Sequence, residues 1–154
     1  MTSAEKKWLI VTSLWVGLIF FSSTSLAAKY CERLYQFVRV HLLPSMIGMS
    51  GTEGVLHLIA EKGVHFTLFF TFGFLVAHLV HGSPWGRLAK IAVFGLVVGS
   101  GSEFLQSFFP GRDPAIRDVV LNLVSAALGG LATLLWWRKK GRIAWKAKSA
   151  GEII

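Results

Sequence analysis

The sequence predicts an all-α integral membrane bundle of four transmembrane helices, with a short amphipathic interfacial helix between the first and second. Of the 154 residues, 53% are hydrophobic and only 16% are charged, and the mean hydropathy is +0.58. A soluble protein of this length needs more polar residues to cover its core. Uncharged or nearly uncharged stretches, each about 30 Å long as a helix, recur along the chain. They do not alternate as the strands of a membrane barrel do.

The first helix is predicted at about residues 8–28, because Trp8 to Ala28 carries no charge. Lys6 and Lys7, the apolar run and the small residues near its end also resemble a secretory signal peptide. The run is longer than the usual apolar region of about 7–15 residues in such peptides. We therefore expect a retained anchor helix, and cleavage is the alternative.

The interfacial segment, residues 30–61, is predicted to contain an amphipathic helix on the outer interface. Pro44 ends the helical pattern, and residues 45–54 are expected to form a loop. Thr52 or Glu53 is suited to cap a second short helix that runs into the next span. The apolar stripe of the amphipathic helix consists of Leu34, Phe37, Val38 and Leu42.

The remaining helices are predicted at about 63–84, 89–109 and 118–137, and a basic cytoplasmic tail follows at 138–154. Length allows one domain, so residues 1–154 are expected to form a single membrane domain. Small residues permit close helix approach on two of these spans. They are Gly95 with Gly99, and Ser125 with Gly129.

The net charge of +8 is typical of basic cytoplasmic flanks in a membrane protein, and we expect no nucleic acid partner. Ten of the 16 Lys and Arg residues lie on the inner side if both termini are cytoplasmic. This bias predicts a multi-pass protein of the cell inner, or cytoplasmic, membrane. The basic tail around Trp145 is expected to lie on anionic lipid headgroups, with a merely solvated tail as the alternative.

Polar residues at membrane depth gather at the predicted outer end of the last three helices. Such groups are costly in hydrocarbon unless they are paired or reach water. Pairs three residues apart share one helix face, and Arg112 lies in the turn between Pro110 and Pro114. The helical residues of this group are Lys62, His65, Glu103, Gln106, Asp118 and Asn122.

Each of these residues has a functional and a structural interpretation. His65 and Glu103 are candidates for acid–base catalysis. The alternatives are a hydrogen bond between them, or an ion pair of Glu103 with Lys62 or Arg112. Asp118 either caps the last helix or orients a catalytic group. The predicted catalytic residues are His65, Glu103 and Asp118, and the predicted substrate-binding residues are Lys62, Gln106, Arg112 and Asn122.

Neither a metal nor a cofactor is predicted. Cys31 is the single cysteine, which excludes a multi-cysteine metal site. His57, Glu61 and His65 are spaced by four, but on a helix they span about 12 Å, too far for one ion. The sequence has no phosphate-binding glycine loop and no G-x-S-x-G nucleophile motif.

The pattern resembles the VanZ-like membrane protein family over about residues 58–135. Phe69 stands where that family commonly has Tyr, and Ser125 stands where it often has Gly; these look like packing changes. The resemblance implies a small helical bundle in the bacterial cell envelope and a link to teicoplanin resistance. It rests on Glu61-Lys62-x-x-His65, Glu103-x-x-Gln106-x-x-x-Pro110-x-Arg112, and Asp118-x-x-x-Asn122 followed by Gly129.

These observations predict a polar pocket that opens to the outer leaflet. Its cations suit an anionic amphiphile, so the expected partners are membrane lipids or a lipid-linked envelope precursor. Three functions remain open: an enzyme on a lipid-linked headgroup, a lipid- or glycopeptide-binding protein without chemistry, and a proton-coupled transporter. The transporter is disfavoured because no ionisable residue continues a relay into the inner half of the bundle.

Overall fold

A computed structural model describes residues 2–42, 52–110 and 114–141. The described residues form helices joined by short turns and contain no strand, which confirms the predicted all-α class. Five helices follow one another along the chain: α1 (Ser3–Ser22), α2 (Ser25–Leu42), α3 (Thr52–Ala77), α4 (Pro84–Gln106) and α5 (Ile116–Lys139).

The first predicted helix, 8–28, is interrupted by a break between α1 and α2. The hydroxyls of Ser22 and Ser23 both donate to the carbonyl of Ile19, and that of Thr24 donates to Phe21. Such local bonds compete with the helical ladder and favour its end. After the break, α1 and the first part of α2 differ in direction by 75°.

The amphipathic helix predicted after residue 30 is part of α2, which extends from Ser25 to Leu42. Pro44, which the sequence predicts to end the helical pattern, lies outside the described residues. The side chains of Leu34, Val38 and Leu42, and the loop residues 45–51, lie outside the described residues. The interfacial position of this helix therefore stays a prediction.

The second predicted span starts earlier in the structure, because α3 is one continuous helix from Thr52 to Ala77. The turn to α4 also comes earlier than the sequence suggests. Gly82 adopts a φ of 122°, and the Ser83 hydroxyl accepts from the N–H of Gly86 as an N-cap. Pro84 at the first helical position then fits its fixed φ and missing N–H.

Helices α3 and α5 make the closest approach in the bundle. A Cβ at Gly73 would overlap the backbone of Ala126, and one at Gly129 would overlap the backbone of Phe70. Gly129 thus serves the close packing that its sequence context predicts, against α3. A buried apolar cluster fills the middle of the bundle, including Phe69, Phe72, Ile91 and Leu134.

Three helical stretches are long and apolar enough to cross a membrane: Ile59–Ala77, Pro84–Gln106 and Ile116–Lys139. The predicted fourth crossing is reached only if α1 and α2 together count as one bent span. Charged residues at the start of α1 and the break after Ser22 shorten its apolar length. The structure thus describes a multi-pass membrane protein with three such spans.

Candidate functional site

Six of the predicted site residues come together at one end of the bundle, which we call the polar end. Lys62 and His65 lie on α3, Glu103 and Gln106 in the last turn of α4, and Asp118 and Asn122 in the first two turns of α5. The end of α4 at Gln106 and the start of α5 at Ile116 are close in sequence, so both lie at this end of the bundle. The seventh residue, Arg112, lies outside the described residues.

Lys62 forms an ion pair with Asp118. Its Nζ lies 2.7 Å from each of the two carboxylate oxygens of Asp118 and 3.9 Å from a carboxylate oxygen of Glu61. Asp118 is in the first turn of α5, where the helix dipole also favours a negative charge. Two contacts leave one of the three ammonium donors of Lys62 for another acceptor. The side chain of Lys62 is 23% exposed, so an anion can reach it.

Glu103 is buried, with only 5% of its surface exposed. One carboxyl oxygen accepts from the backbone N–H of Ala115 at 3.2 Å, and the other accepts from the Gln106 amide at 3.4 Å. Ala115 is the N-cap residue of α5 and makes no side-chain cap of its own. Glu103 therefore ties the end of α4 to the start of α5.

These contacts differ from the alternatives that the sequence suggested. Lys62 forms its ion pair with Asp118. The alternative ion pair between Lys62 and Glu103 is therefore not formed. Asp118 is not the N-cap residue of α5, because the helix begins at Ile116 and its cap position is Ala115. The Asp118 carboxylate lies two residues after the first residue of α5 and contacts Lys62 on α3.

His65 and Asn122 form the deepest polar contact of the polar end. The His65 Nδ1 lies 3.2 Å from the Asn122 Oδ1, and both residues are buried. Asn122 fits there because α4 has Gly99 opposite, where a Cβ would come within 3.1 Å of the Asn122 Cβ. The Asn122 Nδ2 has no hydrogen-bond partner within the described part of the chain. His65 thus bonds to Asn122 rather than to Glu103.

The electrostatic environment of Glu103 links the polar end into one unit. His65, Asp118 and Lys62 all lie close enough to act on its carboxyl group through Coulombic interaction. The polar end thus holds a buried carboxyl, an imidazole and an ammonium on adjacent helices, and a carboxyl and an imidazole are groups that can take part in acid–base chemistry. Among the described residues, no group of three His, Cys, Asp or Glu side chains is placed to hold a metal ion.

The structure adds a contact that the sequence reasoning missed. The hydroxyls of Ser23 and Ser102 lie 2.7 Å apart and are buried, and Ser25 donates to the carbonyl of Pro110 at 3.0 Å. The break between α1 and α2 is thereby fastened to α4 beside Glu103. The sequence signal for this contact is the run of hydroxyl residues from Ser22 to Ser25 within the predicted first helix.

The sequence of this chain is similar to those of known proteins. The family model described as VanZ/LLP1 matches residues 8–137, so the match includes α1 and extends beyond the motifs of α3 to α5. One curated relative, the uncharacterized protein C11E3.10 of the fission yeast Schizosaccharomyces pombe, is 32% identical over 84 residues. That alignment covers 53% of this chain and 51% of the relative, so the chain spans about half the relative's length. No solved structure matches the chain.

Proposed function

Since the chain belongs to the VanZ/LLP1 family, we propose that its polar end binds or modifies an anionic lipid or a lipid-linked component of the cell envelope. The observation that carries the proposal is Glu103, a carboxyl group 5% exposed at the end of a candidate membrane span. Burying a carboxyl group in hydrocarbon costs free energy, and ionisable residues that are buried within membrane spans are commonly functional.

The chemistry of the neighbours favours an anionic headgroup. Lys62 keeps an exposed edge beside its ion pair with Asp118, and Arg112 follows Glu103 by nine positions in the sequence. Cations at the interface attract phosphate groups. In this proposal Lys62 and Arg112 hold the phosphate, and His65 or Glu103 moves a proton.

A substitution at Glu103 separates an enzyme from a binding protein. Lipids that co-purify with the wild type and with Glu103→Gln are compared by mass spectrometry. The amide keeps the shape of the carboxyl group but cannot transfer a proton. An enzyme is expected to lose turnover and accumulate unmodified lipid, whereas a binding protein is expected to retain the same lipid in both forms.

The matched control is Glu61→Gln, because the Glu61 side chain is 41% exposed and lies one residue from Lys62. It is expected to leave the lipid profile of the wild type unchanged. The absence, in all three proteins, of any lipid enriched over the host membrane would contradict both forms of the proposal.

The envelope assignment has its own tests. We propose a cytoplasmic membrane location with both termini inside and the polar end outside, and a contribution to teicoplanin resistance. With the native Cys31 replaced by serine, cysteines introduced at Gly111 and at Lys148 should be labelled by an impermeant thiol reagent only at Gly111. Labelling at Lys148 would reverse the orientation. Expression in a sensitive bacterium should raise teicoplanin tolerance. Glu103→Gln should abolish the increase if the protein is an enzyme and should leave it unchanged if the protein only binds its ligand.

A further inference from the structure

Away from the polar end, a cavity of about 650 Å³ lies between α1, α3 and α4. This volume falls within the range of about 300–1,000 Å³ typical of ligand sites. None of the residues that form the polar end lines it. Its walls consist mainly of apolar side chains, among them Leu9, Val16, Phe72, Val76, Phe94 and Val98.

The cavity lies at membrane depth. Helices α3 and α4 are two of the candidate membrane spans, and the wall residues Leu9 and Phe94 are 44% and 49% exposed. Leu9 lies two residues after Lys7 and Phe94 four residues after Lys90, so both stand near the charged end of the bundle, where exposed apolar side chains of a membrane protein meet the outer part of the hydrocarbon layer. The cavity therefore opens sideways to the bilayer.

An acyl chain fits these walls better than water does. Water needs two to four polar partners to occupy a cavity. Away from the mouth, the polar side chains of the wall are Ser13 and Thr12, and the Thr12 hydroxyl already donates to the carbonyl of Trp8 at 2.7 Å. An empty space of this size would deprive the wall residues of dispersion contacts. Hydrocarbon from the bilayer supplies those contacts and requires no hydrogen bonds.

The polar residues of the cavity mark one mouth. His81 Nε2 lies 3.6 Å from a Glu5 carboxylate oxygen, and Lys90 donates to the carbonyl of His81 at 2.9 Å. Glu5 is thus engaged by His81, whereas the exposed Lys90 lies at this mouth, and a cation there favours a negatively charged headgroup.

We propose that this cavity binds one acyl chain of an anionic phospholipid from the surrounding bilayer, with the lipid phosphate beside Lys90. The apolar walls hold the chain, and the basic mouth selects the headgroup. This site is separate from the polar end and does not depend on the function proposed there.

The test measures the phospholipid that each chain retains after purification in mild detergent with a mixture of phosphatidylglycerol and phosphatidylcholine. Native mass spectrometry reports the bound lipid. In Val98→Phe the added ring occupies the cavity, and retention should fall by about fivefold or more. The matched control is Val97→Phe on the same helix, because Val97 is 63% exposed and does not line the cavity. It should retain lipid as the wild type does.

Two further variants keep the test decisive if Val98→Phe fails to fold. Ser13→Phe fills the cavity from the α1 wall and should also lower retention. Lys90→Gln should reduce the preference for phosphatidylglycerol over phosphatidylcholine by about fivefold, the contribution of one cation near an anionic headgroup. Lys139→Gln, an exposed lysine on α5, should leave that preference unchanged.

Equal retention in Val98→Phe, Ser13→Phe and Val97→Phe would overturn the proposal. So would a retained lipid that is lost in Glu103→Gln but kept in Val98→Phe, because that lipid would belong to the polar end. A wild type that retains no phospholipid and forms dimers broken by Val98→Phe would assign the cavity to a second copy of this chain.

Discussion

At the polar end, three helices meet through an ion pair and buried hydrogen bonds, whereas at the other end they meet through aromatic rings. We call the latter the aromatic end. Trp8 stacks on His78 with ring centroids 3.8 Å apart, and Trp137 lies edge-on to His78 at 4.8 Å. The guanidinium of Arg87 lies over the Trp137 ring, 4.7 Å from its centroid, and donates to the carbonyl of Ala77.

The two ends differ in the interactions that their buried polar atoms make. At the polar end, Lys62 and Asp118 pair across helices, and desolvation offsets much of the Coulombic gain in such a pair. At the aromatic end, the Trp137 Nε1 and the Arg87 Nε are buried without a hydrogen-bond partner in the described residues. Aromatic ring contacts therefore contribute much of the stabilisation of that end, beside the hydrogen bond from Arg87 to Ala77. The comparison teaches that the aromatic end gains from ring packing, whereas the polar end has a desolvation cost that its packing alone does not explain.

The largest expected effect is at Trp137, which is 7% exposed. Trp137→Ala should lower the free energy of unfolding by about 3–5 kcal/mol, because it removes a buried ring and leaves a cavity. Thermal unfolding in detergent measures the loss. Trp137→Phe is the control and should cost about 1 kcal/mol or less, since it keeps an aromatic ring and deletes an N–H that has no partner. Equal losses in both variants would show that the N–H matters.

The next effect is at the polar end. Asp118→Asn should lower the free energy of unfolding by about 2 kcal/mol, because the Lys62 ammonium loses its partner. The loss stays below that of a fully buried pair, since Lys62 is 23% exposed and solvent screens its charge. A double variant with Lys62→Met should recover part of the loss. No recovery would mean that the two residues act independently.

A smaller effect is expected where the break after α1 meets α4. Ser102→Ala should cost about 1 kcal/mol in unfolding free energy, because it removes the buried contact with Ser23. Ser107→Ala on the same chain segment is the control, since its exposed hydroxyl donates only locally to Phe104 at 2.7 Å. A loss in Ser107→Ala as large as that in Ser102→Ala would refute a specific role for the Ser23 contact.

The smallest effect is at the exposed rim of the aromatic end. The Lys140 Nζ lies 4.5 Å from the centroid of the Trp136 ring, and such exposed contacts contribute about 0.5–1 kcal/mol. Lys140→Gln should lower the unfolding free energy by that amount, and Lys139→Gln should not. High salt should reduce the difference between the two variants, and a difference that grows with salt would contradict an electrostatic origin.

Much of the fold could be predicted because it depends on local features. Long windows with few charges in α3 to α5 make each of these segments apolar enough to span a membrane, whatever its neighbours are. The gathering of Lys62, Glu103 and Asp118 at one end follows from helix direction and short turns. The family resemblance, based on α3 to α5, is confirmed by a match that also includes α1.

The partners within the site could not be predicted in the same way. Spacing shows which face of a helix a residue occupies, but the rotation and approach of two helices decide which carboxylate meets Lys62. Gly73 and Gly129 bring α3 against α5, and this contact places Asp118, not Glu103, beside Lys62. The break at Ser23 was missed for a similar reason, since its buried partner Ser102 lies 79 residues away.

The sequence by itself determined that this is an all-α, multi-pass membrane protein with its polar residues at one end, because hydropathy and charge act along the chain. Only the tertiary structure decided that Lys62 pairs with Asp118, that Glu103 accepts from Ala115, and that an apolar cavity opens between α1 and α4. These features depend on how closely helices distant in sequence approach. Close packing of side chains sets these distances between helices, and the sequence of a single helix does not specify them.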